Sequence, residues 1–161
     1  MQKIMIVSDT HRMCAGLDKA LANEGKIDML IHCGDIEGDE AYIEKAANCP
    51  VYMVAGNNDY FSSLNREIEL TIADKKVLVT HGHAYYISLG TDVLKTEGKA
   101  RGYDIVMFGH IHRPVLEIED DITVLNPGSL TYPRQADKNP TYMMMYVDDN
   151  NEITFETKIA Q

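Results

Sequence analysis

The chain has 161 residues, of which 45% are hydrophobic, and it carries a formal net charge of −10 at pH 7. This length suffices for one well-buried core but not for two ordinary domains, so we interpret residues 1–161 as a single domain. The negative charge repels nucleic-acid backbones and anionic lipids, which argues against long nucleic acids and membranes as partners.

The first part of the chain repeats a strand, loop and helix pattern. The apolar run 3–8 predicts a strand, and apolar residues at helical spacing predict a helix over 14–25. A strand at 27–33, a helix at about 40–48 and a strand at 50–55 follow. Strands that are apolar on both faces and alternate with helices indicate right-handed βαβ units and a parallel sheet.

The second part of the chain predicts mainly strands. A hairpin over 66–80 precedes a helix near 89–100 and a strand at 104–108. Four later runs, PVLEIE, ITVLN, TYMMMYV and EITFETKI, alternate apolar and polar residues, as antiparallel strands packed on one face do. We expect two sheets packed face to face, with helices on their outer faces. The polar segment 133–140 is interpreted as either an exposed loop at the mouth of a site or a linker.

Polar side chains gather directly after the predicted strands. The carboxyl ends of the strands in an open α/β sheet meet at one edge, and ligands bind there. The residues at these strand ends are Asp9, His11, Asp35, Asn57, Asn58, Asp59, His81, His83, His110 and His112. Five of the six histidines belong to this set, which scattered placement would not produce. The pattern indicates a metal site.

The residue types narrow the choice of metal. Imidazole, carboxylate and amide groups without a thiolate suit Mn²⁺, Fe²⁺, Zn²⁺, Co²⁺ or Ni²⁺. The ligands are too many for one ion and fit two ions about 3.5–4 Å apart that share a carboxylate and leave a position for a bridging water. His110 and His112 stand one residue apart, so an extended backbone would turn both toward the site and let each reach a different ion.

The motifs DTH, GD, GNND, HGH and GHIH follow these strands in that order, and NPGS comes after them at 126–129. They span residues 8–129, about three quarters of the chain. Together they resemble the calcineurin-like metallophosphoesterase superfamily, and most closely its small single-domain prokaryotic phosphodiesterases. The resemblance implies an α/β fold, a four-layer α/β/β/α sandwich of two mixed sheets flanked by helices.

The resemblance also implies roles for individual residues. One ion would be held by Asp9, His11 and His112, the other by Asn57, His81 and His110, and Asp35 would bridge them. The implied cofactors are two divalent ions, with Mn²⁺ as the first choice and Ni²⁺, Fe²⁺, Zn²⁺ or Co²⁺ as alternatives. The implied function is hydrolysis of small phosphodiesters by in-line attack of a hydroxide that bridges the two ions.

Two candidate catalytic residues lie beside these ligands. Asn58 stands where the wider superfamily has a histidine that contacts the phosphate and protonates the leaving oxygen. Asparagine hydrogen-bonds a phosphate but cannot act as a general acid, so we expect aryl esters to react well and alkyl esters poorly. His83 is expected either to contact the phosphate or to orient His81.

Three further residues are expected to support the site. Asp59 is expected to orient Asn57 or His11 rather than to bind metal. Asn126 is expected to hydrogen-bond a ligand histidine, and His32 to pack beneath the ligands or to support them through a hydrogen bond.

A different class of function stays open. One eukaryotic branch of the superfamily serves as a trafficking-complex subunit, so a non-catalytic metal-binding scaffold or protein-interaction subunit is the alternative. Scaffold members tend to lose ligand histidines, whereas all seven ligand positions are filled here. A phosphomonoesterase or protein phosphatase fits less well, because those enzymes usually retain the histidine that Asn58 replaces.

Partners and location follow from the remaining features. We expect a small phosphate ester as substrate, and the sequence leaves homo-oligomerisation open. Three cysteines without CxxC spacing indicate reduced thiols, and the chain has neither a signal-peptide pattern nor an apolar run long enough to span a membrane. These observations predict a cytoplasmic protein.

Overall fold

Apolar runs of the sequence form ten strands, and the computed structural model describes all of residues 1–161. The strands are β1 (Gln2–Val7), β2 (Met29–His32), β3 (Val51–Met53), β4 (Glu67–Ile72), β5 (Lys75–Thr80), β6 (Ile105–Met107), β7 (Pro114–Ile118), β8 (Thr123–Pro127), β9 (Thr141–Val147) and β10 (Ile153–Ile159). The α-helices are α1 (Ala15–Glu24), α2 (Glu40–Ala47) and α3 (Asp92–Ala100). None of these helices combines the length and apolar character that crossing a membrane requires.

The strands form two mixed sheets of five strands each. The first sheet has the order β10-β9-β1-β2-β3, in which β1, β2 and β3 are parallel and β9 is antiparallel to both of its neighbours. The second sheet has the order β4-β5-β6-β8-β7, in which β5, β6 and β8 are parallel. The predicted βαβ units and the hairpin of β4 and β5 are confirmed.

Three apolar layers hold the sheets and helices together. The middle layer lies between the two sheets and combines side chains such as Ile6 and Met143 with Val79 and Met107. A second layer joins the outer face of the first sheet to α1 and α2. A third joins the outer face of the second sheet to α3. The predicted four-layer α/β/β/α sandwich is therefore confirmed.

Strand β9 differs from the prediction. Its sequence was expected to pack on one face, but every residue except Tyr146 is buried. The reason is its place between β1 and β10, where one face meets the other sheet and the opposite face meets the helices. Met143 and Met145 enter the middle layer, and Met144 enters the layer beneath the helices. The methionine run is thus core.

Two other elements differ from the sequence-based expectation. Strand β8 pairs with β6 in parallel and with β7 in antiparallel, although antiparallel pairing alone was expected. The helix expected near residue 89 begins only at Asp92, because two short 3₁₀ turns (His83–Tyr85 and Ile87–Leu89) precede it. Gly90 ends the second turn at a φ of 127°, a backbone conformation that a helix cannot continue through.

The topology brings both halves of the site to one edge. Strands β1, β2 and β3 end at the same edge of the first sheet, and β5 and β6 end at the matching edge of the second. The segment from β8 to β9 passes this edge, where the Arg134 N–H donates to the His112 carbonyl at 2.9 Å. The polar segment 133–140 is therefore a loop at the mouth of the site.

Candidate metal centre

The loops that carry the candidate ligands are bonded to one another through their backbones. After β1, the His11 N–H donates to the Asp35 carbonyl in the loop after β2, at 2.9 Å. After β6, the Gly109 N–H donates to the His81 carbonyl in the loop after β5, at 3.0 Å. Each pair of neighbouring loops is therefore held as one unit before any ligand arrives.

Five candidate ligands lie in the left-handed backbone region, which residues other than glycine rarely adopt. They are Asp9, His11, Asp35, His110 and His112, with φ between 48° and 73°. Such conformations cost about 1–3 kcal/mol each and cluster at functional sites. The extended backbone expected for the GHIH motif is therefore wrong, because sharp turns at both histidines, rather than strand alternation, direct their side chains.

One cluster of candidate ligands consists of Asp9, His11 and His112. The Asp9 Oδ1 atom lies 3.1 Å from His112 Nε2 and 3.7 Å from His11 Nε2, and the two Nε2 atoms lie 3.2 Å apart. Two nitrogen lone pairs repel at this distance unless a proton or a cation lies between them. Nitrogen ligands bound to one ion at about 2.1 Å lie roughly 3.3 Å apart, so the spacing fits a shared metal.

A second cluster consists of Asp9, Asp35 and His81. The His81 Nε2 atom lies 3.4 Å from Asp35 Oδ2 and 3.8 Å from Asp9 Oδ1. Asp35 Oδ2 is also 3.6 Å from His11 Nε2 in the first cluster. One carboxylate oxygen of Asp35 therefore stands between the two clusters, where a bridging ligand is needed.

Asn57 and His110 pair with each other beside the second cluster. The Asn57 Oδ1 atom and His110 Nδ1 are 3.1 Å apart, and the His110 ring centre lies 5.1 Å from that of His81. His110 belongs to neither of the two tight clusters. The structure thus brings five of the seven predicted ligands into direct proximity and places the other two alongside.

Two of the ligand histidines are oriented by hydrogen bonds from the ring nitrogen that faces away from the site. His81 donates its Nδ1 hydrogen to the Cys33 carbonyl at 2.7 Å, and His112 donates its Nδ1 hydrogen to the Tyr132 carbonyl at 2.7 Å. A carbonyl only accepts, so these bonds fix the tautomer and leave the Nε2 lone pair free for a metal. Both partners are backbone atoms, which the sequence could not reveal.

Asp9 is fixed through one oxygen only. Its Oδ2 atom accepts from the Ser8 hydroxyl at 2.6 Å and from the His110 N–H at 3.0 Å. Its Oδ1 atom is buried without a hydrogen-bond partner, and so is the Nε2 atom of His81. Buried polar atoms are nearly always paired, because an unpaired one costs about 1–3 kcal/mol. Two such atoms converging on one point are what a bound cation would satisfy.

The charged groups of the centre shift one another's pKa values. Burial acts to raise the pKa of the Asp9 carboxyl, but the neighbouring imidazoles of His11, His112 and His81 outweigh it and hold that pKa well below its ordinary value. The nearby Asp9 carboxylate raises the pKa of His11, whose Nε2 atom lies 3.7 Å from Asp9 Oδ1. Burial lowers the pKa of His110, and neighbouring His81 lowers it further. The centre therefore holds an anionic carboxylate that calls for positive charge, and a metal ion would take the place of the His11 proton.

The two candidate catalytic residues make contacts that the sequence did not indicate. Asn58 donates its backbone N–H and its side-chain amide to the two oxygens of Asp35, both at 2.9 Å, so it holds that carboxylate in place. No hydrogen bond joins His83 to His81; their rings lie 5.5 Å apart. The Nδ1 atom of His83 is buried without a partner.

Asp59 does not orient Asn57 or His11. Its carboxylate instead accepts four backbone N–H groups, those of Asp35, Ile36, Glu37 and Gly56, at 2.6–3.0 Å. It therefore joins the loop after β2 to the loop after β3.

Asn126 and His32 also support the centre through the backbone. Asn126 does not bond a ligand histidine; its amide donates to the Gly109 carbonyl at 2.8 Å. His32 accepts the Gly34 N–H at Nδ1 and therefore donates from Nε2 to the Thr10 hydroxyl, at 3.0 Å. As expected, His32 supports the ligand loops from beneath.

Comparisons with known proteins agree with this geometry. The calcineurin-like phosphoesterase superfamily domain matches residues 2–150. The chain is 37% identical over 152 residues to a probable metallophosphoesterase from Methanocaldococcus jannaschii, a match that covers 92% of this chain and 78% of that protein. It is 34% identical over 143 residues to a phosphodiesterase from the same organism, with coverage of 78% and 82%.

A solved structure supports the fold. Wild-type Vps29 from Entamoeba histolytica, complexed with Zn²⁺, matches with a TM-score of 0.78 at 20% identity, covering 99% of this chain and 100% of that one. At this identity the likeness shows the fold alone.

Proposed function

The chain belongs to the calcineurin-like phosphoesterase superfamily, and we propose that it is a metal-dependent phosphodiesterase that acts on small phosphodiesters. The observation that carries this proposal is the pair of buried, unpartnered atoms, Asp9 Oδ1 and His81 Nε2, which lie 3.8 Å apart and face a second carboxylate. The similarity to a protein named as a phosphodiesterase supports the diester substrate.

The proposed site holds two divalent ions, with Mn²⁺ as the first candidate. The residues proposed to hold them are Asp9, His11 and His112 for one ion, Asn57, His81 and His110 for the other, and Asp35 between them. When bound, such ions supply positive charge that lowers the pKa of a coordinated water and offsets charge on the phosphoryl oxygens. The preformed loops position the ligands in advance, so little reorganisation is needed when an ion binds.

The protein residues give the reaction its selectivity. Hydrolysis forms a bond between phosphorus and an oxygen from water and breaks the bond to the leaving oxygen. Asn58 has no acidic proton to give to that oxygen, and its backbone N–H and side-chain amide both donate to Asp35. His83 is proposed to contact the phosphate, because its ring lies beside two proposed ligands, 5.5 Å from the ring of His81 and 6.1 Å from that of His110.

A panel of purified-protein assays tests the proposal. The metal-free protein is reconstituted with each divalent ion in turn and offered aryl phosphodiesters and phosphomonoesters. We expect turnover that depends on the ion and favours diesters, and calorimetry with Mn²⁺ is expected to give two sites per chain. Replacing Asp35 by Asn should abolish turnover, because the bridging charge is lost, whereas Asp28→Asn, at an exposed carboxylate of the opposite end, should leave turnover unchanged.

The nature of the leaving group gives a second test. Without a general acid, the leaving oxygen departs as an anion, so we expect the turnover number to fall about 100-fold or more from p-nitrophenyl to alkyl diesters. A rate that does not change with the leaving-group pKa would contradict the role given to Asn58.

The alternative function is a metal-binding scaffold or protein-interaction subunit. The similarity in fold to Vps29 is the reason to test it. Bound metal without turnover of any ester would favour it over the phosphodiesterase. Turnover of monoesters alone would instead favour a phosphomonoesterase.

A further inference from the structure

A cleft of about 660 Å³ adjoins the metal centre beside the loops after β1, β2 and β3, and it shares His11 and Asn58 with the centre. That volume is enough to hold a group of nucleoside size. The remaining wall includes Arg12, Met13 and residues 60–62, none of which the proposed hydrolysis uses.

Two neighbouring aromatic side chains line this cleft and face solvent. Tyr60 is 79% exposed and Phe61 is fully exposed, and neither belongs to any of the three apolar layers that hold the fold together. Met13 is half exposed on the same cleft. Exposed aromatic rings beside a polar centre provide faces on which a planar heterocycle stacks, and a thioether adds a polarisable contact.

The charges of the cleft restrict what enters it. Arg12 is the only arginine or lysine in the wall, and its Nε donates to the Glu37 carbonyl at 3.1 Å. The carboxylates of Glu37 and Glu40 line the same wall and outnumber this cation. A second phosphate would be repelled there, whereas an uncharged ring would not.

From these features we infer that the cleft binds the nucleobase of a nucleoside phosphate whose phosphoryl group lies at the metal centre. The base stacks on Tyr60 and Phe61, and the Arg12 guanidinium lies at its edge. This inference rests on the proposed function and narrows the substrate class to nucleoside-containing phosphodiesters, as opposed to nucleoside polyphosphates.

Calorimetry with two probes that differ only in the base measures this directly. Adenosine 5′-monophosphate and ribose 5-phosphate are titrated into the Mn²⁺-loaded protein. We expect the nucleotide to bind about tenfold more tightly, a ratio in the range that base stacking on aromatic side chains supplies.

Substitutions test whether the cleft is the cause of the affinity ratio between the nucleotide and ribose 5-phosphate. In the double variant Tyr60→Ala with Phe61→Ala we expect the ratio to approach one, with the affinity for ribose 5-phosphate unchanged. Phe61→Trp, which keeps a stacking face, should retain the ratio. Ile118→Ala removes an exposed apolar side chain on β7 that does not line the cleft, and it should also retain the ratio.

A ratio near one in the unmodified protein, or a ratio that survives the double substitution, would overturn the inference. Aryl-diester turnover is measured on the same samples. If the protein binds the nucleotide preferentially but hydrolyses no ester, the proposed function fails while the base-binding cleft stands. If it hydrolyses aryl diesters with no preference for the nucleotide, only the cleft assignment fails.

Discussion

Asp59 contributes to the site through the backbone. Its carboxylate accepts four N–H groups from two loops, and a neutral amide has only one oxygen with which to accept them. We therefore expect Asp59→Asn to lower the free energy of unfolding of the metal-free protein by about 2–4 kcal/mol, since hydrogen bonds to charged groups contribute about 1.5–3 kcal/mol each. Urea unfolding with an unchanged m-value measures the loss.

Asp28 offers a matched control for this substitution. It also accepts a backbone N–H, that of Lys3 at 2.8 Å, but only one, and at an exposed position. Asp28→Asn should cost less than about 1 kcal/mol. Equal losses for both variants would mean that the four bonds to Asp59 do not hold the loops.

His32 makes stability depend on pH. Burial lowers its pKa from 6.5 to about 4, so between these values the unfolded chain binds a proton that the folded chain does not. The contribution of His32 to the free energy of unfolding is therefore complete above pH 6.5 and is lost as the pH falls toward 4. The total loss is about 3 kcal/mol. His32→Gln keeps a donor for Thr10 and cannot titrate.

Unfolding of the metal-free wild type and His32→Gln at several pH values between 7 and 4 measures this effect. We expect the stability advantage of the wild type to shrink steadily as the pH is lowered. An advantage that stays constant over this interval would show that the buried imidazole does not titrate in this way.

At the scale of single residues, the sequence indicated which residues belong to the site better than it indicated their contacts. The histidines and aspartates could be recognised because side-chain chemistry and spacing at strand ends carry the signal. Asn58, Asp59 and Asn126 were given wrong or incomplete contacts, because their partners are the Asp35 carboxylate and backbone groups of neighbouring loops. Such partners depend on loop conformation, which sequence spacing does not specify.

Among the elements, the loop after β3 has no room for a side chain at Gly56. A Cβ atom on Gly56 would lie 2.2 Å from Asp35 Oδ1 and 2.5 Å from the Asp35 backbone nitrogen. Gly56→Ala must therefore displace the Asp35 carboxylate, which is proposed to bridge the two ions, and we expect the dissociation constant for Mn²⁺ to rise at least about tenfold, as for other losses of ligand support. Calorimetric titration with Mn²⁺ measures it.

Gly25, just past the end of α1, is the control. It has a φ of 67° and nothing within 4 Å of an added Cβ atom. Gly25→Ala should cost about 1–3 kcal/mol of stability through backbone strain and leave Mn²⁺ affinity unchanged. Unaltered Mn²⁺ affinity in Gly56→Ala would show that Asp35 is not needed where the structure places it.

The strands and helices themselves were largely predictable, because apolar periodicity reports which faces are buried. The pairing of the strands was less predictable. The sequence of β9 suits either a half-buried strand or a central one, and only its position between β1 and β10 decides. The turns at His110 and His112 were missed because residues with side chains rarely adopt positive φ, so no sequence pattern favours it.

At the scale of the whole molecule, the net charge of −10 opposes the approach of an anionic diester. Two divalent ions would reduce this charge without reversing it. We expect kcat/KM for a monoanionic diester, at saturating Mn²⁺, to rise about two- to threefold between roughly 10 and 150 mM ionic strength as the repulsion is screened, with kcat unchanged.

A non-ionic osmolyte at matched osmolarity is the control for this measurement and should have no effect. A fall in kcat/KM with added salt would show that local positive charge at the metal centre governs the encounter instead of the overall field. The net charge could be read from the sequence. Its effect on the rate at which substrate and protein meet depends on the surface to which the site opens, which the sequence does not give.

The strand order of the first sheet has a consequence for synthesis on the ribosome. All seven candidate ligands have been made by residue 112, yet β1 remains without its neighbour β9 until residues 141–147 emerge. A nascent chain that stalls or is cleaved before that point presents the bare edge of β1, a template for association with other chains. The ligand loop after β1 therefore stays attached to an incomplete sheet until residues 141–147 have been made.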